Sequence, residues 1–244
     1  MNAVPAQEGS RTAAPLVVVA GGSSPAGIAV AAALVAAGLR VLMVGSDAGR
    51  IQAAAQGTGG AVPLSCDLGD RGEVAALGAR IRTDHGAVDG LLHLVGGWRG
   101  GGTLVEQSDA DFDHLQHSVL TTLRNTSREF HADLAASRVG RLAIVSSTAV
   151  TAPTPANANY AAIKAAAETW VQAIAAGFTN TPAAAVVLVV KALVDQGMRD
   201  RSPARSFDGF TDVAVLGQAA AQLFARPAAT INGARIIVEH NNLT

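Results

Sequence analysis

The sequence predicts an α/β chain built on a doubly wound parallel sheet, with helices covering both faces. Short apolar, β-branched runs alternate with alanine-rich helical patterns, beginning with the strand Leu16–Ala20 and a helix over residues 28–37. The first strand, the helix and the next strand, residues 40–44, form a β-α-β unit, which requires parallel strands. A chain of 244 residues fits one such three-layer α/β/α domain.

The same alternation continues towards the C-terminus. Further strands are predicted over residues 61–64, 90–95, 142–145, 184–190 and 235–238, and further helices over residues 47–56, 70–85, 109–136, 159–176 and 211–225. Residues 195–209 are charged and lack a clear period, so we expect a mobile loop there. Residues 1–14 are interpreted as a flexible tail, which leaves residues 15–244 as the domain.

Composition excludes several classes of partner. A net charge of -1 gives no electrostatic basis for binding nucleic acid or an anionic membrane. The apolar runs are shorter than the about 18 residues of a membrane span. Cys66 is the single cysteine, which excludes an internal disulfide and favours a reducing, cytoplasmic location. The histidines show no metal-ligand spacing, so we expect no metal.

Tyr160 and Lys164 are the strongest candidates for catalysis. They are four residues apart on a predicted helix, so their side chains share one face. A fixed cation beside a phenol favours the phenolate and lowers its pKa. Ser147 ends a predicted strand, and its hydroxyl is expected at the edge of the sheet where that helix begins. Taken alone, a chance Tyr/Lys pair and an ordinary turn serine would explain the same residues.

Three further segments are expected at that edge, because ligands bind beyond the carboxyl ends of parallel strands. The glycine-rich turn of residues 21–27 offers backbone N–H groups to a pyrophosphate. Asp67 could accept a hydrogen bond from an adenine amino group, although Asp67 or Asp70 could instead cap the next helix. The glycine-rich loop of residues 94–102 lets a flat ligand approach the backbone, and its Trp98 is expected to pack.

The order of these features resembles the short-chain dehydrogenase/reductase family from residue 16 to the C-terminus. The family pattern TGxxxGxG appears at residues 20–27 as AGGSSPAG, and YxxxK appears at residues 160–164. Ser147 lies thirteen positions before Tyr160, as the family's catalytic serine does. The resemblance implies a Rossmann-type fold, a nicotinamide cofactor, hydride transfer to or from a small carbonyl or alcohol in a ketoreductase-like reaction, and a homodimer or homotetramer.

The resemblance also implies roles for individual residues. Tyr160 would be the general acid in reduction and the base in oxidation, Lys164 would bind the nicotinamide ribose and lower the phenol pKa, and Ser147 would polarise the substrate oxygen. The implied cofactor contacts are Gly21, Ser23, Ser24, Ala26, Gly27, Ser46, Asp67, Leu68, Val95, Gly96, Gly97, Tyr160, Lys164 and Lys191. Trp98, Arg99 and residues 195–210 are expected to line the substrate site, where an arginine could hold an anionic substrate.

The chain departs from the family pattern at several positions. Pro25 replaces the middle glycine of the first motif and removes an N–H group. The asparagine of the family's central helix corresponds to Ser118, which could hold a water molecule, or to Val119, which could not. Lys191 replaces the proline of a Pro-Gly pair, which places either a cation near the nicotinamide or an exposed lysine at a strand end.

Two alternatives stay open beside the ketoreductase-like prediction. Residues 96–101, GGWRGG, are similar to a loop of dihydropteridine reductases, but those enzymes lack the serine and carry an aspartate after the second strand. The departures also allow a non-catalytic NAD(P)-sensing or scaffold protein. NADP(H) is favoured over NAD(H), because Gly45 and Ser46 offer no carboxylate to a ribose hydroxyl, and Arg50 or Arg40 could reach a 2'-phosphate.

Overall fold

The computed structural model describes residues 13–239. The strands are β1 (Leu16–Ala20), β2 (Arg40–Gly45), β3 (Val62–Ser65), β4 (Gly90–His93), β5 (Arg141–Ser147), β6 (Ala184–Val190), β7 (Leu193–Val194), β8 (Thr211–Asp212) and β9 (Arg235–Ile237). Seven of them form a parallel sheet in the order β3-β2-β1-β4-β5-β6-β9, and β7 pairs with β8 separately. The strand order reverses at β1, as in a doubly wound sheet.

Helices cover both faces of the sheet. They are α1 (Pro25–Ala36), α2 (Ala48–Gln56), α3 (Arg71–Asp84), α4 (Asp109–Leu115), α5 (Thr122–Ala136), α6 (Ala158–Gly177), α7 (Gln196–Arg201), α8 (Val213–Gln222) and α9 (Ala228–Ile231). Helices α3, α5 and α6 share one apolar core with Val18, whereas α1, α2 and α8 share the other with Val17 and Val19. Successive residues of β1 thus enter opposite cores, which confirms the predicted fold class.

The predicted bounds of the sheet strands and most helices differ from the observed ones by at most three residues. The predicted tail, residues 1–14, falls almost entirely outside the described residues, as do the last five positions of the predicted domain. Within residues 13–239, no helix is both long and apolar enough to span a membrane. The assignment of residues 15–244 to a single domain stays a prediction.

Two local predictions were wrong. The helix predicted over residues 109–136 is interrupted by a π-helical segment, Gln116–Thr121, between α4 and α5. Thr122 at the end of this segment donates to the carbonyl of Ser118 at 2.6 Å, a local hydrogen bond that competes with regular helical pairing. The mobile loop predicted over residues 195–209 contains α7, whose first turn is capped by the Asp195 carboxylate at 2.8 Å from the Met198 nitrogen.

The turn between β1 and α1 explains how the chain tolerates Pro25. Ser24 caps α1 by accepting a hydrogen bond from the Gly27 nitrogen at 3.0 Å. Pro25 occupies the first helical position, where a backbone N–H has no intrahelical partner and its loss costs little. Gly27 is required for close packing, because a Cβ there would clash with the Gly21 carbonyl oxygen and the Gly22 backbone. The departure from the glycine pattern therefore preserves the strand-turn-helix arrangement.

Candidate active site

A cavity of about 800 Å³ lies at the carboxyl ends of the parallel strands. Segments that follow β1, β4, β5 and β6 form its wall together with α6. The predicted site residues that line it are Ser24, Ala26, Val95, Gly96, Gly97, Trp98, Ser147, Tyr160, Lys164 and Lys191. The fold therefore brings the three predicted catalytic residues into one cavity with many of the predicted cofactor contacts.

Helix α6 carries Tyr160 and Lys164 on one face. The Lys164 Nζ atom lies 5.8 Å from the centre of the Tyr160 ring and donates to the carbonyl oxygen of Val145 at 2.9 Å. Lys164 is 7% exposed, so its ammonium is held largely away from bulk water at the end of β5. An ammonium has three donors. The one protein hydrogen bond described for Nζ leaves two donors for other groups.

The next two residues of β5 are held by Glu168 of α6 and Arg235 of β9. The Ser146 hydroxyl donates to the Glu168 carboxylate at 2.5 Å. Arg235 of β9 pairs with the same carboxylate at 3.0 Å and donates to the carbonyl oxygen of Ser147 at 3.1 Å. Sequence reasoning missed Glu168 and Arg235. The available signal was the position of Glu168, four residues after Lys164 and therefore on the same helix face.

The proton affinities of Tyr160 and Lys164 are set mainly by burial. Burial raises the pKa of the Tyr160 phenol above its ordinary value, and hydrogen bonding to Ser147 opposes that rise. Burial lowers the pKa of Lys164 to about 8, while the Glu168 charge acts in the opposite direction. The net effect of folding is therefore to raise the pKa of the phenol, because desolvation dominates, and a lowering contribution from Lys164 stays a prediction.

The Ser147 hydroxyl is oriented by the backbone of the next turn. Its oxygen accepts a hydrogen bond from the Ala149 nitrogen at 3.1 Å, and the residue is 4% exposed. A serine hydroxyl that accepts from the backbone keeps its own proton available for donation. Ser147 can therefore donate to an oxygen atom in the cavity.

A buried histidine lies behind the loop that follows β4. The two ring nitrogens of His93 are within 3.1 Å of the Thr122 hydroxyl and 3.2 Å of the Thr126 hydroxyl. Burial, assisted by the charge of Lys164, lowers the pKa of His93 to about 3. His93 is therefore neutral near pH 7 and ties β4 to the first turns of α5.

The π-helical segment determines which residue faces Lys164. A Cβ added at Gly96 would lie 3.4 Å from Val119 Cγ2 and 3.6 Å from Lys164 Nζ. Val119 is thus the residue beside Gly96, and its isopropyl group offers no hydrogen bond. The Ser118 hydroxyl is buried with no hydrogen-bond partner among residues 13–239. The contacts favour Val119 as the counterpart of the family's asparagine.

Several predicted cofactor contacts lie outside the cavity lining. These residues are Gly21, Ser23, Gly27, Ser46, Asp67 and Leu68. One carboxylate oxygen of Asp67 accepts from the Gly69 nitrogen at 2.8 Å, whereas Asp70 caps α3 through the Glu73 nitrogen at 2.8 Å. The helix cap is therefore Asp70, and Asp67 stays a predicted adenine contact.

The glycine-rich loop after β4 differs from expectation in two places. Trp98 lines the cavity but is 63% exposed, so the prediction that its indole is packed was wrong. Arg99 does not line the cavity, because it pairs with Asp111 of α4 at 3.1 Å. The loop is tied to the start of α6 by the hydrogen bond from the Gly101 nitrogen to the Ala156 oxygen at 2.7 Å.

The two arginines suggested for a 2'-phosphate have different positions. Arg40 is the first residue of β2 and therefore lies at the amino ends of the parallel strands. Its guanidinium donates to the His85 carbonyl at 2.8 Å. It cannot reach a ligand at the carboxyl ends of the strands, so that suggestion was wrong. Arg50 lies in the first turn of α2, directly after the end of β2. The neighbouring Asp47 carboxylate caps α2 by accepting from the Arg50 nitrogen at 2.7 Å.

Sequence comparisons identify related proteins. A sequence model of the short chain dehydrogenase family matches residues 15–205. Nodulation protein G of Rhizobium sp. (strain N33) is 32% identical over 149 residues, which are 61% of this chain and 60% of that protein. An uncharacterized short-chain type dehydrogenase/reductase of Sinorhizobium fredii is 29% identical over 165 residues, 68% of this chain and 64% of that protein. The chain thus matches less than two thirds of the length of these relatives.

Solved structures share the fold. An NADPH-bound short chain oxidoreductase from Pseudomonas aeruginosa PAO1, described as containing an atypical catalytic center, superposes with a TM-score of 0.83 at 20% identity. The alignment covers 93% of this chain and 96% of that one. A candidate betaketoacyl-ACP reductase gives a TM-score of 0.80 at 23% identity, covering 94% and 98% of the two chains. At these identities the likeness establishes the fold.

The buried ammonium predicts a pH-dependent stability. The pKa of Lys164 is lowered from 10.5 to about 8 by folding, so the unfolded chain binds more protons between these values and stability rises with pH. Relative to Lys164→Met, the wild type should gain about 3 kcal/mol of unfolding free energy between pH 8 and pH 10.5. Denaturant titrations at several pH values measure this difference.

Lys191→Met is the matched control, because Lys191 is exposed at the rim of the same cavity. Its stability should stay parallel to that of the wild type over the same pH range. If the unfolding free energy of Lys164→Met also stayed parallel to that of the wild type, folding would leave the proton affinity of Lys164 unchanged, and the prediction would be wrong.

Proposed function

The chain belongs to the short-chain dehydrogenase family, and on this premise we propose that it is an NAD(P)-dependent oxidoreductase. The reaction is hydride transfer between the nicotinamide and a small carbonyl or alcohol substrate, in the manner of a ketoreductase. The observation that carries this proposal is the convergence of Ser147, Tyr160 and Lys164 on one cavity at the carboxyl edge of the sheet. A cofactor-sensing scaffold would need Lys164 to bind the ribose, but it would not need the Ser147 and Tyr160 hydroxyls beside it.

The cavity fits a nicotinamide cofactor in shape and donors. Gly96 and Gly97 leave the backbone after β4 open to a flat ring, and two donors of Lys164 are available for ribose hydroxyls. The N-terminus of α1 offers a pyrophosphate its positive helix end and the Ala26 N–H, since Pro25 has no N–H and the Gly27 N–H is bonded to the Ser24 hydroxyl. When bound, the cofactor supplies or accepts the hydride.

Proton transfer is assigned to Tyr160. Its raised pKa keeps the phenol protonated near neutral pH, which suits a general acid that donates to the oxygen formed in reduction. Ser147 donates a hydrogen bond to that oxygen and holds it beside the phenol. Lys164, with a pKa of about 8, is largely cationic at pH 7 and stabilises negative charge on Tyr160 once the proton has left.

Pteridine reduction is a second candidate. The exposed Trp98 indole at the cavity wall presents a flat apolar face on which a bicyclic ring could stack. The presence of Ser147 beside Tyr160 favours the carbonyl substrate instead. Assays with a panel of ketones, alcohols and a quinonoid pterin, each with both cofactors, separate the two activities.

We propose NADP(H) as the preferred cofactor. Arg50 is placed in the first turn of α2, and no carboxylate occupies Gly45 or Ser46 to select a ribose 2'-hydroxyl. The carboxylate of Asp47 is engaged as the cap of α2. These features support recognition of a 2'-phosphate by a guanidinium.

We also propose a homodimer or homotetramer assembled through α5 and α6. These helices are joined by the hydrogen bond from Trp170 Nε1 to the Ser127 hydroxyl at 2.9 Å, so they can present one rigid surface. Light scattering that gave a monomer would contradict this assembly. The cytoplasmic location favoured by the single cysteine stays a prediction.

Tyr160→Phe tests the proposed chemistry. Loss of the phenolic proton should lower kcat for ketone reduction by at least about a hundredfold, the usual contribution of a general acid. Binding of NADPH, followed by its fluorescence, should change less than about twofold, because the ring is retained. Full activity in this variant would exclude Tyr160 as the acid.

Arg50→Ala tests the cofactor preference. Loss of a charge-assisted hydrogen bond to a phosphate should weaken NADPH binding about tenfold and leave NADH binding unchanged. Arg40→Ala is the matched control, because the Arg40 guanidinium lies at the amino ends of the strands, away from the cavity. This variant should change the binding of neither cofactor. Equal affinities of the wild type for the two cofactors, or tighter binding of NADH, would contradict the preference.

A further inference from the structure

The cavity wall carries two cations that the described part of the protein does not neutralise. Lys191 follows β6, and its Nζ atom donates to the backbone carbonyl of Asp208 at 3.1 Å. Arg205 also lines the cavity. Among residues 13–239, neither side chain has a carboxylate within ion-pair distance. Arg199 of α7, by contrast, pairs with Asp212 at 3.3 Å.

The acidic residues of the lining do not balance these charges. Asp195 is the one carboxylate among the lining residues described, and it caps α7 by accepting from the Met198 nitrogen at 2.8 Å. Lys164 also lines the cavity and adds a third cation. The cavity is therefore electropositive in a chain whose net charge is -1.

Aromatic rings hold the Arg205 guanidinium without using its hydrogen-bond donors. Its Cζ atom lies 5.3 Å from the ring centres of Phe207 and Phe210, and these rings meet edge to face at 5.5 Å. Cation-π contacts fix a guanidinium by its face and leave the N–H groups at its rim available. The segment is anchored beside Lys191 by the hydrogen bond from the Thr211 nitrogen to the Ala192 oxygen at 2.8 Å.

We propose that Lys191 and Arg205 form an anion subsite for the acidic end of the substrate, so that the substrate is an oxo acid or hydroxy acid. This inference rests on the proposed function, since the same cavity holds Ser147 and Tyr160. The carbonyl lies at the hydroxyl pair, and a carboxylate or phosphate on the same molecule lies against the two cations. A planar guanidinium binds either group through two parallel hydrogen bonds.

The cofactor's pyrophosphate is the other anion that could occupy this subsite. A matched substrate pair separates the two sources: acetoacetate and methyl acetoacetate carry the same ketone and differ in the charge of one end. Both are titrated calorimetrically into the protein saturated with NADP⁺, which cannot reduce them. The variants are Arg205→Ala and Lys191→Ala, and the control is Arg201→Ala, a cation of α7 that does not line the cavity.

The wild type and Arg201→Ala should bind acetoacetate at least about tenfold more tightly than its methyl ester, as expected for a charge-assisted contact. Arg205→Ala should remove most of this preference and leave ester and NADPH binding unchanged, and Lys191→Ala should also remove most of the preference. Equal binding of acid and ester by the wild type would overturn the proposal. Weakened NADPH binding with no loss of acid preference would assign the two cations to the cofactor and also overturn it.

Turnover of the same pair with NADPH is measured separately. An acid preference in binding without turnover would contradict the proposed oxidoreductase activity and support the subsite. Turnover of both ketones without an acid preference would contradict the subsite and support the activity. The two proposals therefore fail in different measurements.

Discussion

The site depends on how three consecutive residues at the end of β5 are held. The Val145 carbonyl binds the Lys164 ammonium, and the Ser146 hydroxyl and Ser147 carbonyl are tied to the Glu168–Arg235 pair. A buried ammonium is tolerated only where a hydrogen bond and a nearby opposite charge offset its desolvation. Glu168 supplies that charge, one turn along α6. The ion pair thus supports the cation and also fixes the strand that presents Ser147.

The two sides of the cavity have different origins in the sequence. Ser147, Tyr160 and Lys164 follow the family pattern, and the fold brings them together through one strand end and one helix face. Lys191 departs from that pattern, and Arg205 lines the same cavity. One fold can serve different substrates when the reacting residues are shared and the other residues of the cavity wall differ between proteins. Selectivity is therefore expected to lie in the segment between β6 and α8.

Local patterns were sufficient to predict the sheet and to place the three candidate residues in one cavity, because strand periodicity, helix spacing and strand ends are properties of neighbouring residues. Features that depend on distant contacts were not predictable. The π-helical segment next to Val119 is of this kind. The position of Arg40 was instead a local signal, because Arg40 begins the predicted strand and so lies at its amino end. The raised pKa of Tyr160 follows from burial, which spacing does not reveal. The Asp195 cap of α7 was a local signal, but its short helix lacks apolar periodicity.

The central claim is that the cavity holds a nicotinamide with its reactive carbon beside Tyr160. A crystal structure of the protein soaked with NADP⁺ tests it most directly. The account predicts density for the nicotinamide ring between the Gly96 backbone and Ser147, with the ribose hydroxyls on Lys164. A cavity closed by its own side chains, or a cofactor whose nicotinamide lies away from Tyr160, would contradict the account.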